Sequence, residues 1–203
     1  MPKPQLSREK IVGAALQMAD RDGLDAVSLR GIAKTLGVHV TSLYNHIPDK
    51  EAVFAEMMNA LVAEANLPVG TLSWQDWIRG CAASFRALAK KHPGAFMLFQ
   101  RGSAQGEQAV VSLESAIAAF RADGFDLSAT QCAIRATNVA IMGLVLDEMG
   151  RLQQPEAQTD LGGLSAEEFP HIYELMQADE ETDAVDYLLD ALIAGIAANR
   201  TRA

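Results

Sequence analysis

The 203-residue chain carries 17 Lys and Arg against 26 Asp and Glu, a formal charge of −9. Affinity for nucleic-acid phosphate comes mainly from Lys and Arg, so the total argues against a nucleic-acid binder, while 49% hydrophobic content argues against disorder. The charge is unevenly distributed, however: residues 1–50 sum to +2 and residues 51–203 to −11, which suggests a phosphate-facing segment on an acidic body. The length allows one or two compact domains. Two cysteines, Cys81 and Cys132, are too few for a disulfide framework and read as two buried thiols. Residues 1–10 lack the apolar run of a secretory signal. The apolar stretch 133–146 is broken by Arg135 and Asn138 and falls short of the about 20 apolar residues that span a bilayer. The expectation is a soluble cytoplasmic protein.

In chain order the periodicity is helical, and no stretch alternates apolar and polar for long. After first residues expected to be disordered, Ser7 caps a helix whose face is Ile11, Val12, Ala15, Leu16 and Ala19 and which Gly23 ends. Ser28 opens a short helix closed by Gly37, and a second short helix spans about 40–46. Pro48 and Asp49 start a long helix with Val53, Phe54, Met57, Met58 and Leu61, fading near Asn66. The boundary between domains is expected at 67–73. Ser73-x-x-Asp76 resembles a capping box and opens a helix carrying Trp74, Trp77, Ile78, Cys81, Phe85 and Leu88, which His92-Pro93-Gly94 breaks. A short apolar segment at 95–99, a loop at 101–106, and helices at 107–122 and 128–151 follow. Residues 153–164 read as a mobile loop, Ser165-x-x-Glu168 as a capping box, and 182–199 as a final apolar helix. The total is about ten helices, with no strand, repeat or low-complexity tract.

Two short helices joined by Thr35-Leu36-Gly37-Val38 and packed on a longer one have the dimensions of a helix-turn-helix. Gly37 supplies the turn, and Leu29, Ile32, Ala33, Leu36, Val38 and Leu43 can fill a small core. The second helix would expose His39, Val40, Thr41, Ser42, Tyr44, Asn45 and His46, mostly groups able to reach a phosphate or a base edge. Helix pairs of this shape also exist without any DNA role. Tyr44 could equally pack, His46 cap a helix C-terminus, and Lys50 be a solvated first-turn lysine.

Leu6-Ser-Arg-Glu-Lys-Ile, Ala14-Ala15-Leu, Gly23-Leu, Ser28-x-Arg30-x-Ile-Ala33, Leu36-Gly-Val, Ser42-Leu-Tyr44-x-His46 and Asp49-Lys50 together resemble the N-terminal domain of the TetR (tetracycline repressor) family. The likeness covers nearly all of residues 6–61. Gly124-Phe125-x-Leu127 and Gly143-x-Val-Leu146-Asp-Glu resemble, more weakly, the C-terminal domain of the tetracycline repressors. The resemblance implies an all-helical homodimeric repressor released from a palindromic operator by a small inducer. Its helix-turn-helix DNA-binding domain would span residues 1–50, a connecting helix 51–66, and a ligand-binding and dimerisation domain 67–203. Tyr44, His46 and Lys50 would hold backbone phosphates together with the N–H groups at Ser28. Arg30, His39, Val40, Thr41 and Ser42 would face bases or sugar, and Arg30 alone has the fork that fits guanine. Gly31 and Val40 stand where family members often carry longer or polar side chains.

Aromatic and methionine side chains at Trp74, Trp77, Phe85, Phe96, Met97, Phe99, Met142 and Met149 suit a pocket for an apolar ligand, or equally a plain core. Arg135, Thr137 and Asn138 interrupt an apolar helix, where burial demands a partner. The expected ligand contacts are Trp77, Phe85, Phe96, Phe99, Arg135, Asn138 and Met142. In the tetracycline repressors a metal-binding His lies where this chain has Leu98, although Asp147 matches an acidic position; an inducer needing no metal is expected, and no cofactor. The four histidines show no metal-ligand spacing. Dimerisation is expected through Val139, Leu144, Leu188, Leu192 and Ile196, with Ala191, Ala194, Gly195 and Ala198 permitting close approach. No nucleophile elbow, P-loop, dinucleotide fingerprint or zinc motif is present. A helical small-molecule-processing enzyme and a partner-binding scaffold are the alternatives.

Overall fold

A computed structural model describes residues 6–102, 106–153, 165, 167–177 and 184–200. The expected disorder at the first residues and the expected mobile loop beyond residue 153 lie outside the described residues. All described elements are helical: α1 (Arg8–Asp22), α2 (Leu29–Leu36), α3 (Val40–Tyr44), α4 (Lys50–Glu64), α5 (Trp74–Lys91), α6 (Glu107–Ala122), α7 (Leu127–Gln153), α8 (Pro170–Gln177) and α9 (Ala184–Ala197), with 3₁₀ turns at Leu24–Ala26 and Ala95–Gln100. By its internal contacts the chain forms two compact units, residues 1–123 and 124–203.

In the first unit the helix starts follow from local chemistry. Ser7, Ser28, Asp49 and Ser73 each accept a hydrogen bond from the backbone N–H three residues on, satisfying a donor the helix leaves unpaired. The Ser73 hydroxyl also donates to Asp76 Oδ2 at 2.7 Å, so Asp closes the box as Glu would. Gly37 ends α2 at φ 65°, ψ 31°, in the left-handed region, and its N–H returns to Ala33 and Lys34. A side chain with a Cβ is strained there. α1 packs against α2 and α4, and α2 against α3. Their shared core is Ile11, Ala15, Val27, Ile32, Leu43, Ile47, Val53 and Met57, all essentially inaccessible; each large apolar side chain here contributes about 1.5–3 kcal/mol. Leu29, Leu36 and Val38, expected in that core, are half-buried at its rim. α3 stops at Tyr44 rather than at 46, because the N–H groups of His46 and Ile47 both return to Leu43 in a turn and the residue before Pro48 disfavours helix.

The same unit continues through α5, the 95–100 turn and α6. α4 packs on the turn and on α6, and α5 on α6. Trp74 stacks on Phe120 at 5.3 Å between centroids and donates its indole N–H to Asp123 at 2.8 Å. Trp77 donates to Ser112 Oγ at 3.1 Å, and Ser112 donates to the Pro68 carbonyl at 2.8 Å. Both buried indoles thus find acceptors, as a buried polar edge requires.

In the second unit α7 packs against α9. α7 is longer than the 133–146 stretch that the sequence marks as apolar, and by length and composition alone it could cross a bilayer. Its burial is one-sided: Thr130, Ala133, Thr137, Ile141 and Leu144 are buried, a stripe at three- and four-residue spacing. Arg135, Asn138 and Val139 lie on the opposite, exposed side. Of the three polar residues that interrupt this helix, Thr137 is the buried one, because 100° per residue turns it away from Arg135 and Asn138. Cys132 is also only half-buried, whereas Cys81 is buried, and no disulfide joins them.

Candidate nucleic-acid interface and effector residues

α2 and α3 form the candidate reading head. Ser28, Arg30, His39, Thr41 and Tyr44 are exposed, and Val40, Ser42, His46 and Lys50 are half-buried. Tyr44 is 53% exposed, more than a packing role would leave. Ser28 Oγ accepts from Gly31 N–H at 3.1 Å, which leaves the earlier N–H groups of α2 open to an anion. A Cβ at Gly31 would lie 2.9 Å from Met18 Cε, a flexible tip, so the glycine opens room beside Arg30 without being required by the backbone.

His39 occupies a position with a second duty. It caps α3, its Nδ1 accepting from Thr41 N–H at 3.4 Å and lying close to the Thr41 hydroxyl. A ring whose Nδ1 accepts keeps its proton on Nε2, a donor suited to a phosphate or a base acceptor. Behind the head, Arg8 Nε donates to the His46 carbonyl at 3.1 Å, and its guanidinium pairs with Glu56 at 3.4 Å. Arg8 thus pins the end of the reading head to α1 and α4. Lys50 Nζ stands 5.1 Å from the Phe54 ring centroid, and the Arg101 guanidinium 4.9 Å from the same centroid, within cation–π range. Arg101 also pairs with Asp25 at 3.5 Å.

The expected effector contacts divide between the units. Phe85, Phe96 and Phe99 form one aromatic cluster, with Phe85 edge-on to Phe96 at 6.4 Å and to Phe99 at 5.4 Å, and Phe96 tilted on Phe99 at 5.0 Å. Trp77 is buried with its N–H already engaged by Ser112. Met142 on α7 is half-buried, Arg135 and Asn138 are exposed, and the Thr137 hydroxyl is buried with no hydrogen-bond partner among the described residues.

Among the described residues, two cavities stand out. One, of about 470 Å³, lies between α4 and the end of the 95–100 turn and is lined by Glu51, Phe54, Met58, Asn59, Leu98 and Arg101 among others. The other, of about 350 Å³, runs between α7 and α9 over Ala129, Cys132, Ala136, Ala191, Leu192 and Gly195. Neither is lined by the expected effector contacts. Leu98 is buried hydrocarbon, and Asp147 is held by Arg151 at 2.6 Å. Burial pushes the Cys81 thiol up to about 12, which leaves it unreactive.

Arg8, His92, Gly94 and Arg101 all make contacts that hold this unit together, yet the sequence marks His92 and Gly94 only as a helix break and gives Arg8 and Arg101 no site role. Arg8 lies within a recognisable motif and could have been singled out. The others act on residues far away in the chain, so no local pattern marks them.

The profile described as bacterial regulatory proteins, tetR family, matches residues 11–57. That described as tetracyclin repressor-like, C-terminal domain, matches residues 67–200. An HTH-type transcriptional regulator of Saccharopolyspora erythraea is 35% identical over 158 residues, covering 77% of this chain and 67% of the relative. The tetracycline repressor protein class D of Escherichia coli is 28% identical over 199 residues, covering 94% and 89%. Among solved structures, ActR of Streptomyces coelicolor in complex with actinorhodin matches with a TM-score of 0.80 at 20% identity, covering 98% of this chain and all of that one.

Proposed function

The chain belongs to the tetR family of bacterial regulatory proteins, and from that membership we propose that it represses transcription as a two-fold dimer on a palindromic operator and is released by a small, largely apolar effector. It is a helix-turn-helix DNA-binding regulator and not an enzyme. The observation that carries the DNA reading is the capped, rigidly backed α2–α3 pair whose exposed face holds Ser28, Arg30, His39, Thr41 and Tyr44. Tyr44, His46, Lys50 and the start of α2 hold phosphates; Arg30, with His39, Val40, Thr41 and Ser42, faces the bases. Phosphate contacts fix register, and Arg30 supplies sequence preference. Such a protein acts in the cytoplasm, where its DNA is.

Residues 1–50 are the reader, 51–66 the connecting helix, and 67–203 the effector-binding and dimerisation part. Dimerisation uses α7 and α9. Val139 and Tyr187 are 67% and 70% exposed, and the groove between the helices is floored by alanine and glycine, which lets a partner helix approach closely. Two readers then stand about 34–36 Å apart, one DNA turn. Within the first unit the effector contacts the Phe85–Phe96–Phe99 cluster and Trp77. An orphan buried hydroxyl such as that of Thr137 is what a ligand or a water satisfies. Effector and operator then compete through a coupling free energy, typically about 1–3 kcal/mol.

With Leu98 replacing the nitrogen ligand, the effector needs no metal. Calorimetric titration with tetracycline and Mg²⁺ should show no binding; micromolar affinity would contradict this. Gel shifts on the DNA upstream of the protein's own gene test the repressor reading. Saturable, salt-sensitive binding supports it, and flat, unsaturable binding refutes it.

A further inference from the structure

The start of the 95–100 turn is fastened through one imidazole to α1 of the reader and to the end of the connecting helix α4. His92 Nδ1 lies 2.7 Å from Asp20 Oδ2 on α1, and Nε2 lies 3.2 and 3.3 Å from the two oxygens of Glu64 on α4. The other Asp20 oxygen accepts the Ala95 N–H at 3.0 Å, and the His92 side chain is only 13% exposed. Two residues on, Gly94 touches the backbone of Ala19 so closely that an added Cβ would lie 1.9 Å from its carbonyl oxygen. Three segments far apart in sequence meet here, and the ring is the polar group common to them.

Both ring nitrogens face carboxylate oxygens. A neutral imidazole donates from one nitrogen and would turn a lone pair toward the other carboxylate; only the imidazolium donates to both. The hydrogen bond from Lys91, first, and the charges of His92 and Lys91 hold the Glu64 carboxyl below its ordinary range, so the ring faces an anion there. The charged groups set against the ring are Asp20 from α1, Glu64 from α4 and Lys91 from its own helix end, with Lys91 Nζ 2.5 Å from Glu64. Arg21 and Asp22 pair with each other, and the 95–100 turn contributes no charge. Because Glu64 keeps Lys91 as an alternative partner while Asp20 is committed to Ala95, the contact surrendered on deprotonation is Nε2 to Glu64.

We propose that His92 is a protonation-controlled positioning residue: as imidazolium it ties α4 and α1 to the start of the 95–100 turn, and loss of the Nε2 proton frees the end of α4 and weakens operator binding. This rests on the DNA-reading function proposed above. A dimer that must reach two half-sites loses affinity when α4 is less constrained, because the competent arrangement becomes a smaller fraction of the population. The sign follows from the ring. The tie is complete while both ring nitrogens carry protons and is lost with the Nε2 proton, so it weakens as pH rises.

The test uses the full chain and a duplex enriched from a random pool by the wild-type protein, with affinity measured from about pH 5.5 to about 8.5, the range in which imidazoles titrate. The quantity read is the ratio of His92→Gln to wild-type dissociation constants, in which pH effects from elsewhere in the protein or the DNA cancel. The expected ratio is on the order of ten at low pH and falls toward one at high pH. Glu64→Gln, at a more exposed position that leaves the ring in place, should remove the same pH dependence. Nitrogen-15 NMR of the His92 ring should show both nitrogens protonated at low pH and Nε2 losing its proton at the same midpoint. A ratio independent of pH, or a ring neutral throughout, overturns the proposal. If no duplex is enriched at all, the DNA-reading function fails instead. The NMR titration then still decides the tie, supporting it if Nε2 loses its proton as Glu64 resonances shift and overturning it if they do not.

Discussion

Replacing Gly94 by alanine should be among the most damaging single-methyl changes in the molecule. The backbone at Gly94 is right-handed helical, φ −78° and ψ −42°, so any residue could adopt it and glycine is not required for conformational freedom. What excludes a side chain is contact. The added Cβ would lie 1.9 Å from the Ala19 carbonyl oxygen, 2.6 Å from its carbon and 2.9 Å from Asp20 Cα. Cβ contacts below 3.0 Å are essentially never seen, so the 95–100 turn must move roughly 1 Å away from α1, through an interior packed too densely to absorb it. Overpacking of this kind costs about 1–3 kcal/mol, occasionally more, and the shift also pulls Ala95 N–H and His92 from Asp20. Gly13→Ala is the control. It adds the same methyl inside α1 with nothing within 4 Å, and should stabilise by about 0.5–1 kcal/mol through helix propensity. Urea unfolding at one fixed protein concentration measures both. A Gly94→Ala protein as stable as wild type would refute the close approach of the turn to α1.

Tyr44→Ala or Lys50→Ala should weaken binding to all DNA sequences about equally and leave the dimer intact, whereas Arg30→Ala should relax sequence preference at one base pair by about 1–3 kcal/mol; anisotropy titrations on matched and mismatched duplexes separate the two. Leu192→Glu places a charge in the α7–α9 groove and should yield monomers in sedimentation without loss of helicity; an unchanged dimer would move the interface elsewhere. With its thiol pushed up to about 12 by burial, Cys81 holds at pH 8 a thiolate fraction on the order of 10⁻⁴, so native labelling by iodoacetamide should be about a thousandfold slower than in urea. Equal rates would show that the α5 core is open.

How much of this was legible in sequence varies with the range of the interaction. The helix starts at Ser7, Ser28, Asp49 and Ser73 could be read because a cap acts within three residues, and Gly37 because a left-handed turn leaves few alternatives. The ends were less legible: α3 stops two residues early at the turn before Pro48. The packed side of α7 is not legible at Arg135 and Asn138, because the helix is apolar around much of its circumference and periodicity does not say which side packs. The aromatic cluster of Phe85, Phe96 and Phe99 was expected as a set, while its geometry needed the fold. In the sequence His92 marks only a helix break. Its partners lie 72 and 28 residues away, and a lone histidine before a proline carries no mark of them.

The central claim is that a rigidly backed α2–α3 pair, used twice, reads DNA. Its most direct test is the stoichiometric anisotropy titration of the full chain against a duplex enriched from a random pool and against its scrambled counterpart, across a range of salt concentrations. Two protomers per duplex, preference for the enriched sequence by a factor of about 10³ or more and a steep loss of affinity with salt are the predicted results. Equal affinity for the scrambled duplex, or no saturable binding at low salt, would contradict it.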